Sequence, residues 1–548
     1  MSNELETELF SKERKTKTAG VKAKAADNSE KPYEFLQIEF ASAVARKAVF
    51  TDLKKSSIPN VFVITTIDRF ADVYIPLNAK GDSLFYDTPN PMGILKNNPN
   101  IVWIESGGIV VAPPPPSGTP ATLQSQATPE GIVRGGHSGL TGKNVIVAVI
   151  DSGIDFRHPD FMTTDAQGRP TSRIAYLWDT ATPFQTGRGG KAPISFPNGT
   201  SIGTLYTKDQ LTNELRSSAK TFPATDLDGH GTACASVAAG NGNADKQTGG
   251  LNRTGVKGVA PEADIIGIRL GYDSLENAYL LNAMVEWLDK VAGKTPLVIS
   301  GSFGGHINGH DGQSIDEREL NARLPLTKVG RSIVFAAGNE GTDKIHSKIS
   351  FAKEPQQVVW QAERETVISI YFDSADPNIV VHGTQATPIT AKDVLERNAL
   401  TKQTFMKLKV KAGLGAIWLA NSAGKATEAH LYFTSEGNGK FSPKFTSYSH
   451  LVGSPGTMEN AITVGSYDWN DNFQLAVGLR NFNSVCDDGT GKAMAIQIGG
   501  LSCYSSPGPT RTGSVKPDIV APGQWYASAL AKNNGQSVVN DPNKTKVD

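Results

Sequence analysis

Four continuous apolar runs lie in the middle of the chain, and each ends in small or polar residues. They read NVIVAVID at 144–151, ADIIGIRL at 263–270, TPLVISGSF at 295–303 and RSIVFAAGN at 331–339. Runs without alternation are typical of strands buried on both faces of a parallel sheet. A helical pattern, ENAYLLNAMVEWLDKVA at 276–292, separates the second run from the third. This alternation of strand and helix predicts an α/β fold with a doubly wound parallel sheet. Residues 137–342 form the first part of this predicted domain.

A different pattern follows at residues 343–453. The segments ETVISIYF, FMKLKVKA, AIWLANS and HLYFTS alternate apolar with polar positions and are joined by Gly, Asn and Ser turns. Such alternation is typical of strands with one face in a core and the other in solvent. We therefore predict an inserted β-sandwich over 343–453, after which the α/β pattern resumes at 454–548.

Three kinds of sequence precede the α/β pattern. Residues 1–31 are polar, rich in Lys, Glu and Ala, and predict a disordered tail. Residues 32–112 predict a small α+β domain, and the Pro-rich sequence after it predicts a stiff linker over 113–136. The elements predicted in the small domain are strands in VFVITTI (61–67), ADVYIPL (71–77) and NIVWIES (100–106), and a short helix in NPMGILKNN (90–98).

Composition narrows the classes of partner. The chain has 548 residues, of which 39% are hydrophobic, so two or three globular domains are expected. Lys and Arg together number 54, as do Asp and Glu, so no charge excess predicts a nucleic acid or an anionic membrane as partner. The N-terminus lacks the apolar core of a secretory signal, and no apolar stretch approaches the roughly 20 residues that span a bilayer.

The three cysteines are Cys234, Cys486 and Cys503. They are too few and too scattered to predict a disulfide framework, and so favour a reducing compartment. Together with the missing signal, this predicts a cytoplasmic location.

Two residues stand where catalytic groups collect in open α/β sheets. Asp151 ends the first apolar run, and a partly desolvated carboxylate there needs a partner, for which His is typical of active sites. His230 lies between glycines in DLDGHGTACASVAAG, before a helix of small residues. Taken alone, Asp151 is equally well explained as a helix cap or turn residue.

These motifs resemble the subtilase family of subtilisin-like serine proteases. The aspartate motif of the family is similar to VIDSGID around Asp151, the histidine motif to DGHGTACASVAAG around His230, and the oxyanion motif to VFAAGNEG around Asn339. The segments GVAPEADIIGIRL and SGSFGG also stand in the family order. The resemblance covers about 136–341 and 454–523. The inserted sandwich and GTLYTKDQLTNEL are similar to the clostridial germination-type branch, in which a jelly roll interrupts the protease domain.

The resemblance implies peptide hydrolysis by acyl transfer, with polypeptides as substrates. His230 would act as general base and then acid, Asp151 would orient it, and Asn339 would donate to the oxyanion. Ser302, Phe303 and Gly304 would form an edge strand that pairs with the substrate, with Phe303 as an apolar wall of the cleft.

The third member of the triad is not found where the family places it. The serine follows KPDIVAPG in subtilases, and here that segment is residues 516–523, with no Gly-Thr-Ser after it. Ser528 and Ser537 lack the motif, and the Gly-Thr-Ser that ends at Ser201 precedes His230, so all three are interpreted as loop serines. We expect the 548 residues to be part of a longer protease whose nucleophile lies beyond Asp548.

Other interpretations remain beside the protease. A pseudoprotease that binds peptides is the alternative function, whereas a nucleotide-binding domain is excluded because no glycine-rich phosphate loop follows the first strand. The N-terminal domain is equally well a propeptide that contacts the cleft or a fixed accessory domain. No metal site is predicted: His306 and His310 lie in a Gly-rich loop, Cys234 is better explained by its place beside the triad histidine, and no carboxylate cluster places a structural calcium.

Overall fold

The computed structural model describes most of the chain between residues 33 and 531. The described residues are 33–55, 61–76, 98–106, 139–196, 199–223, 225–243, 257–270, 278–373, 378–383, 386–390, 396–397, 404–434, 439–469, 472–475, 478–481, 484, 486, 493–524, 529 and 531. The predicted tail, the linker and residues 90–97 of the predicted helix therefore lie outside the described residues. Within the described ranges, no helix combines the length and apolarity that crossing a bilayer requires.

A four-stranded antiparallel sheet and one helix form the N-terminal unit. The strands are β1 (Tyr33–Phe40), β2 (Phe62–Ile67), β3 (Phe70–Pro76) and β4 (Ile101–Ser106), and the helix is α1 (Ala43–Lys55). The sheet order is β2-β3-β1-β4, and α1 covers one face of the sheet by packing Val49 and Leu53 in the same apolar cluster as Ile38 and Val73. The three predicted strands are present, each within one residue of its predicted start.

A nine-stranded mixed sheet forms the centre of the molecule. Its order is β27-β24-β13-β12-β5-β11-β8-β10-β9, and the pairs from β27 to β8 are parallel. The strands are β5 (Ile146–Asp151), β8 (Ile174–Asp179), β9 (Gly190–Lys191), β10 (Thr204–Thr207), β11 (Asp264–Arg269), β12 (Leu297–Gly301), β13 (Arg331–Ala336), β24 (Ile462–Asp468) and β27 (Ile519–Gln524). All six residues of β5 are buried, as the unbroken apolar run predicts. The α/β fold class is therefore confirmed.

Helices cover both faces of this sheet. They are α2 (Lys208–Arg216), α3 (His230–Ala239), α4 (Leu281–Ala292) and α5 (Ile315–Arg323), with short 3-10 turns at Pro159–Phe161, Ala278–Leu280 and Pro443–Phe445. Both α2 and α5 begin with a capping box, from Thr207 to Gln210 and from Ser314 to Glu317. These reciprocal side-chain bonds satisfy amide donors at the helix start that would otherwise have no partner.

The predicted inserted sandwich consists of two five-stranded antiparallel sheets. Their orders are β14-β22-β16-β20-β19 and β18-β17-β21-β15-β23. The strands are β14 (His346–Phe351), β15 (Gln356–Ala362), β16 (Thr366–Phe372), β17 (Ile379–Gly383), β18 (Ala386–Thr390), β19 (Glu396–Arg397), β20 (Thr404–Val410), β21 (Gly413–Asn421), β22 (Thr427–Phe433) and β23 (Gly439–Phe441). Alternate residues of both sheets, among them Trp360 and Phe433, form one apolar core between them. All ten strands lie within the predicted 343–453.

Two short hairpins complete the described elements. The hairpins are β6 (Met162–Thr164) with β7 (Pro170–Ser172), and β25 (Asn472–Leu475) with β26 (Gly478–Asn481).

Cys486 and Cys503 form a disulfide, whereas Cys234 is free. The sequence analysis predicted only that no disulfide framework forms, and this single bond joins two residues that are 17 positions apart in the sequence. The disulfide removes the argument from cysteines for a reducing compartment.

The N-terminal unit rests on helix α5 of the central domain and on the sandwich. Gln37 Nε2 donates to Asp316 Oδ1 at 2.6 Å, and Arg323 Nη2 donates to Thr65 Oγ1 at 2.5 Å. Trp103 of β4 packs edge-on against Phe405 of the sandwich, with 5.8 Å between ring centroids. The sheet of the N-terminal unit thus contacts α5 and the insert at once.

Candidate functional site

Three neighbouring strands of the central sheet end at the same edge and carry the predicted site residues. In the parallel register, Gly301 of β12 lies beside Ile150 of β5 and Phe335 of β13. The residues that follow are therefore near one level, and the chain leaves β12 at Ser302 and reaches Asn339 three residues after β13. Asp151 is the last residue of β5. The carboxyl edge of a parallel sheet is where ligands collect in α/β folds.

Asp151 and His230 form a hydrogen-bonded pair. The distance from His230 Nδ1 to Asp151 Oδ1 is 2.7 Å, and the Asp151 side chain is 4% exposed whereas that of His230 is 32% exposed. The backbone N–H of Ser152 also donates to Asp151 Oδ1, at 2.7 Å. Because a carboxylate accepts, the proton of neutral His230 lies on Nδ1 and leaves Nε2 as a base. The structure therefore brings the two predicted residues into the geometry of a general base and its orienting acid.

Asp226 organises the turn that presents His230. Its Oδ1 accepts from Ser152 Oγ at 3.1 Å and from the Gly229 N–H at 2.9 Å, and its Oδ2 accepts from the Thr232 N–H at 2.9 Å and from Thr232 Oγ1. Ser152 Oγ in turn accepts from the Gly231 N–H at 2.8 Å. One buried carboxylate thus joins the first turn of α3 to the end of β5 and replaces the missing side-chain cap at Gly229.

Glycine is required at the start of α3 by space and by backbone angle. Gly229 has φ +96°, in the left-handed region that favours glycine. A Cβ at Gly231 would lie 2.1 Å from the carbonyl oxygen of Gly153 and 3.0 Å from Cβ of Asp151. The helix therefore approaches the strand end closely enough for His230 to reach Asp151 only because residue 231 has no side chain.

The charges around this pair favour protonation. The carboxylate of Asp151, and after it the sulfur of Cys234, hold the pKa of His230 well above its usual value, although burial acts in the opposite direction. Burial raises the pKa of Asp226, and its hydrogen bonds from Thr232 and Gly229 only partly offset that effect. An imidazole that binds a proton more strongly is a stronger base, although less of it is free at neutral pH.

Cys234 lies one turn after His230 on α3. Its Sγ is 3.8 Å from His230 Nδ1 and 4.0 Å from Nε2, and it donates to Ser302 Oγ at 3.5 Å. Asp151, His230 and Cys234 also form the group of potential metal ligands found among the described residues. A thiophilic cation held there would compete with Asp151 for the His230 imidazole, so this group is better explained by the Asp151–His230 pair than by a metal.

Asn339 lies half-buried in a loop whose backbone is fixed on both sides. Gly338 has φ +115°, and its carbonyl accepts from the Ser506 N–H at 3.0 Å. The Glu340 N–H donates to Ser506 Oγ at 3.0 Å, and the Gly341 N–H donates to the carbonyl of Tyr504 at 2.8 Å. The segment around Ser506 therefore holds the residues on either side of the predicted oxyanion donor.

The predicted substrate segment follows the end of β12, and one of its side chains does not lie where the sequence analysis expected it. Ser302 and Gly304 are half-buried, and Gly305 pairs with Ser454 in an antiparallel bridge. Phe303 is 1% exposed and packs against Phe335 at 5.8 Å between centroids. Its ring belongs to the central core, so it does not form the apolar wall of a cleft that the sequence analysis expected.

The remaining candidates have structural surroundings. Ser201 Oγ accepts from the Ala192 N–H at 2.7 Å and donates to the carbonyl of Gly203 at 2.8 Å, as expected of a loop serine. His306 and His310 lie in the loop after β12, with 3.3 Å between His306 Nδ1 and His310 Nε2. Ser528 and Ser537 lie outside the described residues.

Four polar residues of the site were missed by sequence reasoning, namely Ser152, Asp226, Glu340 and Ser506. Asp226 stands four residues before His230 within a motif already singled out, so its place offered a signal. Ser506 offered none, because it is 166 residues from Glu340 in the sequence and the fold alone brings them together.

Comparisons with known proteins identify one family. The model of the subtilase family matches residues 142–391 and 397–548. Subtilisin-like protease SBT2.2 of Arabidopsis thaliana is 28% identical over 233 residues, which cover 41% of this chain and 26% of that protein. Subtilisin E of Bacillus subtilis (strain 168) is 25% identical over 296 residues, which cover 52% of this chain and 57% of that protein.

Among solved structures, the Clostridium perfringens CspB protease has a similar fold. The TM-score is 0.54 at 22% sequence identity, and the match covers 72% of this chain and 78% of that one. The chain thus spans between about a quarter and just over half of the two curated relatives. Since the family model matches well over half of its residues, the chain belongs to the subtilase family.

Proposed function

We propose that the protein is a serine endopeptidase in which Asp151 and His230 are the acid and base of an Asp-His-Ser triad. The observation that supports this most is the 2.7 Å bond between a buried carboxylate at a strand end and a partly exposed imidazole at a helix start. That arrangement fixes the tautomer and leaves Nε2 free to accept a proton. Membership of the subtilase family makes peptide bonds the expected substrate.

Each group has one chemical role in the proposed mechanism. His230 Nε2 takes the proton of the serine hydroxyl as the oxygen attacks the scissile carbonyl, and later gives that proton to the leaving amine. Asp151 stabilises the imidazolium that forms in between. The Asn339 amide donates to the oxyanion of the tetrahedral intermediate, a contact worth roughly 3 to 4 kcal/mol in such sites.

The substrate proposed is an extended polypeptide. Gly305 already pairs with Ser454, and the preceding segment Ser302–Gly304 runs along the same edge as Asp151 and Asn339. A peptide that adds to this segment as a further strand gains backbone hydrogen bonds that do not depend on its sequence. Because Phe303 is packed in the core, side-chain preference must come from other residues.

Peptidase assays on the protein expressed from its complete reading frame test this proposal. His230→Ala is expected to lower kcat about a millionfold and Asp151→Asn about ten-thousandfold, because they remove the base and its orientation. His382→Ala, which replaces an exposed histidine on the sandwich, is the matched control and should leave kcat unchanged. Full activity in His230→Ala would contradict the proposed mechanism.

A peptide-binding protein without catalysis is the second candidate. It is favoured by one observation: the Gly-Thr-Ser at 199–201 has its serine hydroxyl bonded to the backbone of Ala192 and Gly203, away from the Asp151–His230 pair. Saturable binding of an extended peptide by the product of the complete reading frame, without cleavage, would establish this alternative and exclude the endopeptidase.

A further inference from the structure

Five of the nine histidines lie where the sandwich meets the central domain. The rings of His306 and His310 are stacked at 5.0 Å, His310 on Tyr432 at 3.9 Å, and Tyr432 on His346 at 4.4 Å. His430 follows His346 at 5.1 Å, and His450 lies against both. One end of this histidine column lies next to the loop that carries Asn339.

The polar contacts at that end indicate how many protons the two histidines share. His310 Nδ1 lies 2.8 Å from the carbonyl oxygen of Val452, His310 Nε2 lies 3.3 Å from His306 Nδ1, and His306 Nε2 lies 3.4 Å from Glu340 Oε2. The carbonyl oxygen of Val452 can only accept a hydrogen bond, and so can Glu340 Oε2 when Glu340 is ionised. Each of the three contacts needs one N–H proton to be attractive, whereas two neutral imidazoles carry only two such protons in total. The pair must hold one extra proton for every contact to be attractive.

The surroundings of His310 disfavour a second proton on that ring. Burial, and after it the charges of His306 and His346, hold the pKa of His310 well below its usual value. Burial acts to raise the pKa of Glu340, but the charge of His306 and the hydrogen bonds from His306 and Ser506 outweigh it and leave that pKa below its usual value. The ionisable groups that face the pair are Glu340 from the oxyanion loop, Asp311 from the loop after β12, His346, His430 and Tyr432 from the sandwich, and Arg511 from the segment before β27.

We propose that His306 is doubly protonated at neutral pH and, through its ion pair with Glu340, is a positioning residue for the oxyanion loop. Glu340 directly follows Asn339, and its Oε2 also accepts from Ser506 Oγ at 2.8 Å. A Cβ at Gly338 would lie 2.4 Å from that same oxygen, so the carboxylate packs directly against the backbone of the loop. The direction in which the Asn339 amide points thus depends on a buried charge that touches no substrate. This step rests on the proposed function, whereas the protonation of His306 does not.

A pH dependence with a defined sign follows from this ion pair. At neutral and lower pH the extra proton makes the contact between His306 and Glu340 attractive. When the pH rises far enough to remove it, a lone pair on His306 Nε2 faces a carboxylate, and the stabilisation is lost. His230 has the opposite requirement, since it must lose its proton to act as a base. Two histidines would therefore limit activity from opposite sides.

Nitrogen NMR of the 548-residue chain with labelled histidine tests the protonation directly. Both ring nitrogens of His306 should show imidazolium shifts at neutral pH. In Glu340→Gln the amide nitrogen can take the position of Oε2 and donate both to a neutral His306 and to Ser506 Oγ, so His306 should become neutral. Glu428→Gln removes the carboxylate that is 3.3 Å from His430 Nε2 and is the matched control that should leave His306 charged. A neutral His306 in the unaltered chain would overturn the proposal whether or not the variants fold.

Amide hydrogen exchange at Glu340 and Gly341 tests the effect on the loop. The protection factor, which corrects for the intrinsic rate, should fall in the unaltered chain over the pH range in which His306 loses its extra proton. It should be independent of pH in Glu340→Gln, and an equal fall in that variant would contradict the positioning role. Both readouts require no turnover, so they stay informative if the protein proves not to be a peptidase.

Discussion

At the scale of single residues, the site depends on buried carboxylates that touch no substrate. Asp226 is 1% exposed and Asp151 is 3% exposed, and they lie on the two sides of Ser152. A buried carboxylate is costly unless donors surround it. Here the donors are the backbone amides and the hydroxyl that also define the start of α3, so the same bonds satisfy the charge and orient His230.

Removing the Asp226 carboxylate should destabilise this turn. Asp226→Ala leaves the buried donors of Gly229 and Thr232 without an acceptor, and we expect a loss of about 3 kcal/mol in the free energy of unfolding. Asp228→Ala is the matched control, because Asp228 is exposed in the same turn and accepts one bond from the His230 N–H. Urea unfolding of both variants measures the difference, and equal losses would contradict the role given to Asp226.

Protonation of His230 should respond to Asp151. Since the carboxylate is the largest cause of the raised pKa, Asp151→Asn should move the NMR titration of His230 to lower pH. In an active protein, the acid limb of the kcat/KM profile reports the same group, and activity should rise as the pH increases through this pKa. A titration that does not move in Asp151→Asn would show that the two side chains are not paired in solution.

Sequence reasoning predicted Asp151 from a strand end and His230 from a glycine-flanked turn, and it predicted Asn339 from the resemblance of VFAAGNEG to the oxyanion motif of the family. It failed where the contact is made at long range. The Cys486–Cys503 disulfide and the bond between Ser506 and Glu340 depend on how the segment before β27 folds back. Phe303 comes two residues after the end of β12, and only its burial in the structure shows that its ring lies in the core.

At the scale of elements, the close approach of α3 to β5 determines whether the catalytic pair can form. The first turn of α3 packs on the backbone of Gly153, which lies two residues after the end of β5. A helix that contains a buried face of Ala, Thr and Ser can lie this near to a sheet because its side chains are short.

A single methyl group at the start of α3 should therefore separate the pair. Gly231→Ala would put its Cβ against the carbonyl of Gly153, and the helix must move outward to relieve the overlap. We expect loss of the downfield proton on His230 Nδ1 in NMR spectra and at least a hundredfold lower kcat, as misplacement of about 1 Å can cause. Gly190→Ala, whose Cβ would meet its nearest atom at 3.4 Å, is the control. An unchanged Nδ1 proton in Gly231→Ala would contradict this account.

The type of the central strands could be predicted because continuous apolar runs indicate burial on both faces, whereas their order in the sheet was not predicted. The helix α5 could not be predicted in the same way. Its sequence IDERELNAR looks like a solvated surface, yet Glu317 and Glu319 are fully buried. Their burial depends on partners far away in sequence, such as Thr457, which donates to Glu317 Oε1 at 2.5 Å. A local pattern cannot report such partners.

At the scale of the whole molecule, the N-terminal unit is held on α5 by a buried cluster of acids. Asp72 and Glu319 are both 0% exposed, and Arg323 Nη2 donates to Glu319 Oε1 at 2.7 Å. Burial first, and then the charges of Glu319 and Asp316, raise the pKa of Asp72 well above its usual value. Burial also raises the pKa of Glu319. The interface therefore favours a protonated acid.

The attachment of the N-terminal unit should weaken as the pH rises. A carboxyl group whose pKa is raised on folding stabilises the folded state below its usual pKa, and that contribution is lost as the pH rises through the raised value. Asp72→Asn keeps the shape and removes the need for the proton, so the variant should resist alkaline release better than the unaltered chain. Limited proteolysis of the N-terminal unit against pH measures this. Asp68→Asn, at an exposed turn of the same sheet, is the control, and faster release in Asp72→Asn than in that control would contradict the prediction.

Labelling with a serine-directed fluorophosphonate, followed by intact mass and peptide mapping, tests the central claim most directly. The sample is the protein expressed from its complete reading frame, together with its His230→Ala variant. The account predicts one adduct on a serine that follows residues 516–523 in the chain, and its loss in His230→Ala. A correctly folded protein that retains the bond between Asp151 and His230 but forms no adduct would contradict the endopeptidase and leave peptide binding as the function to test.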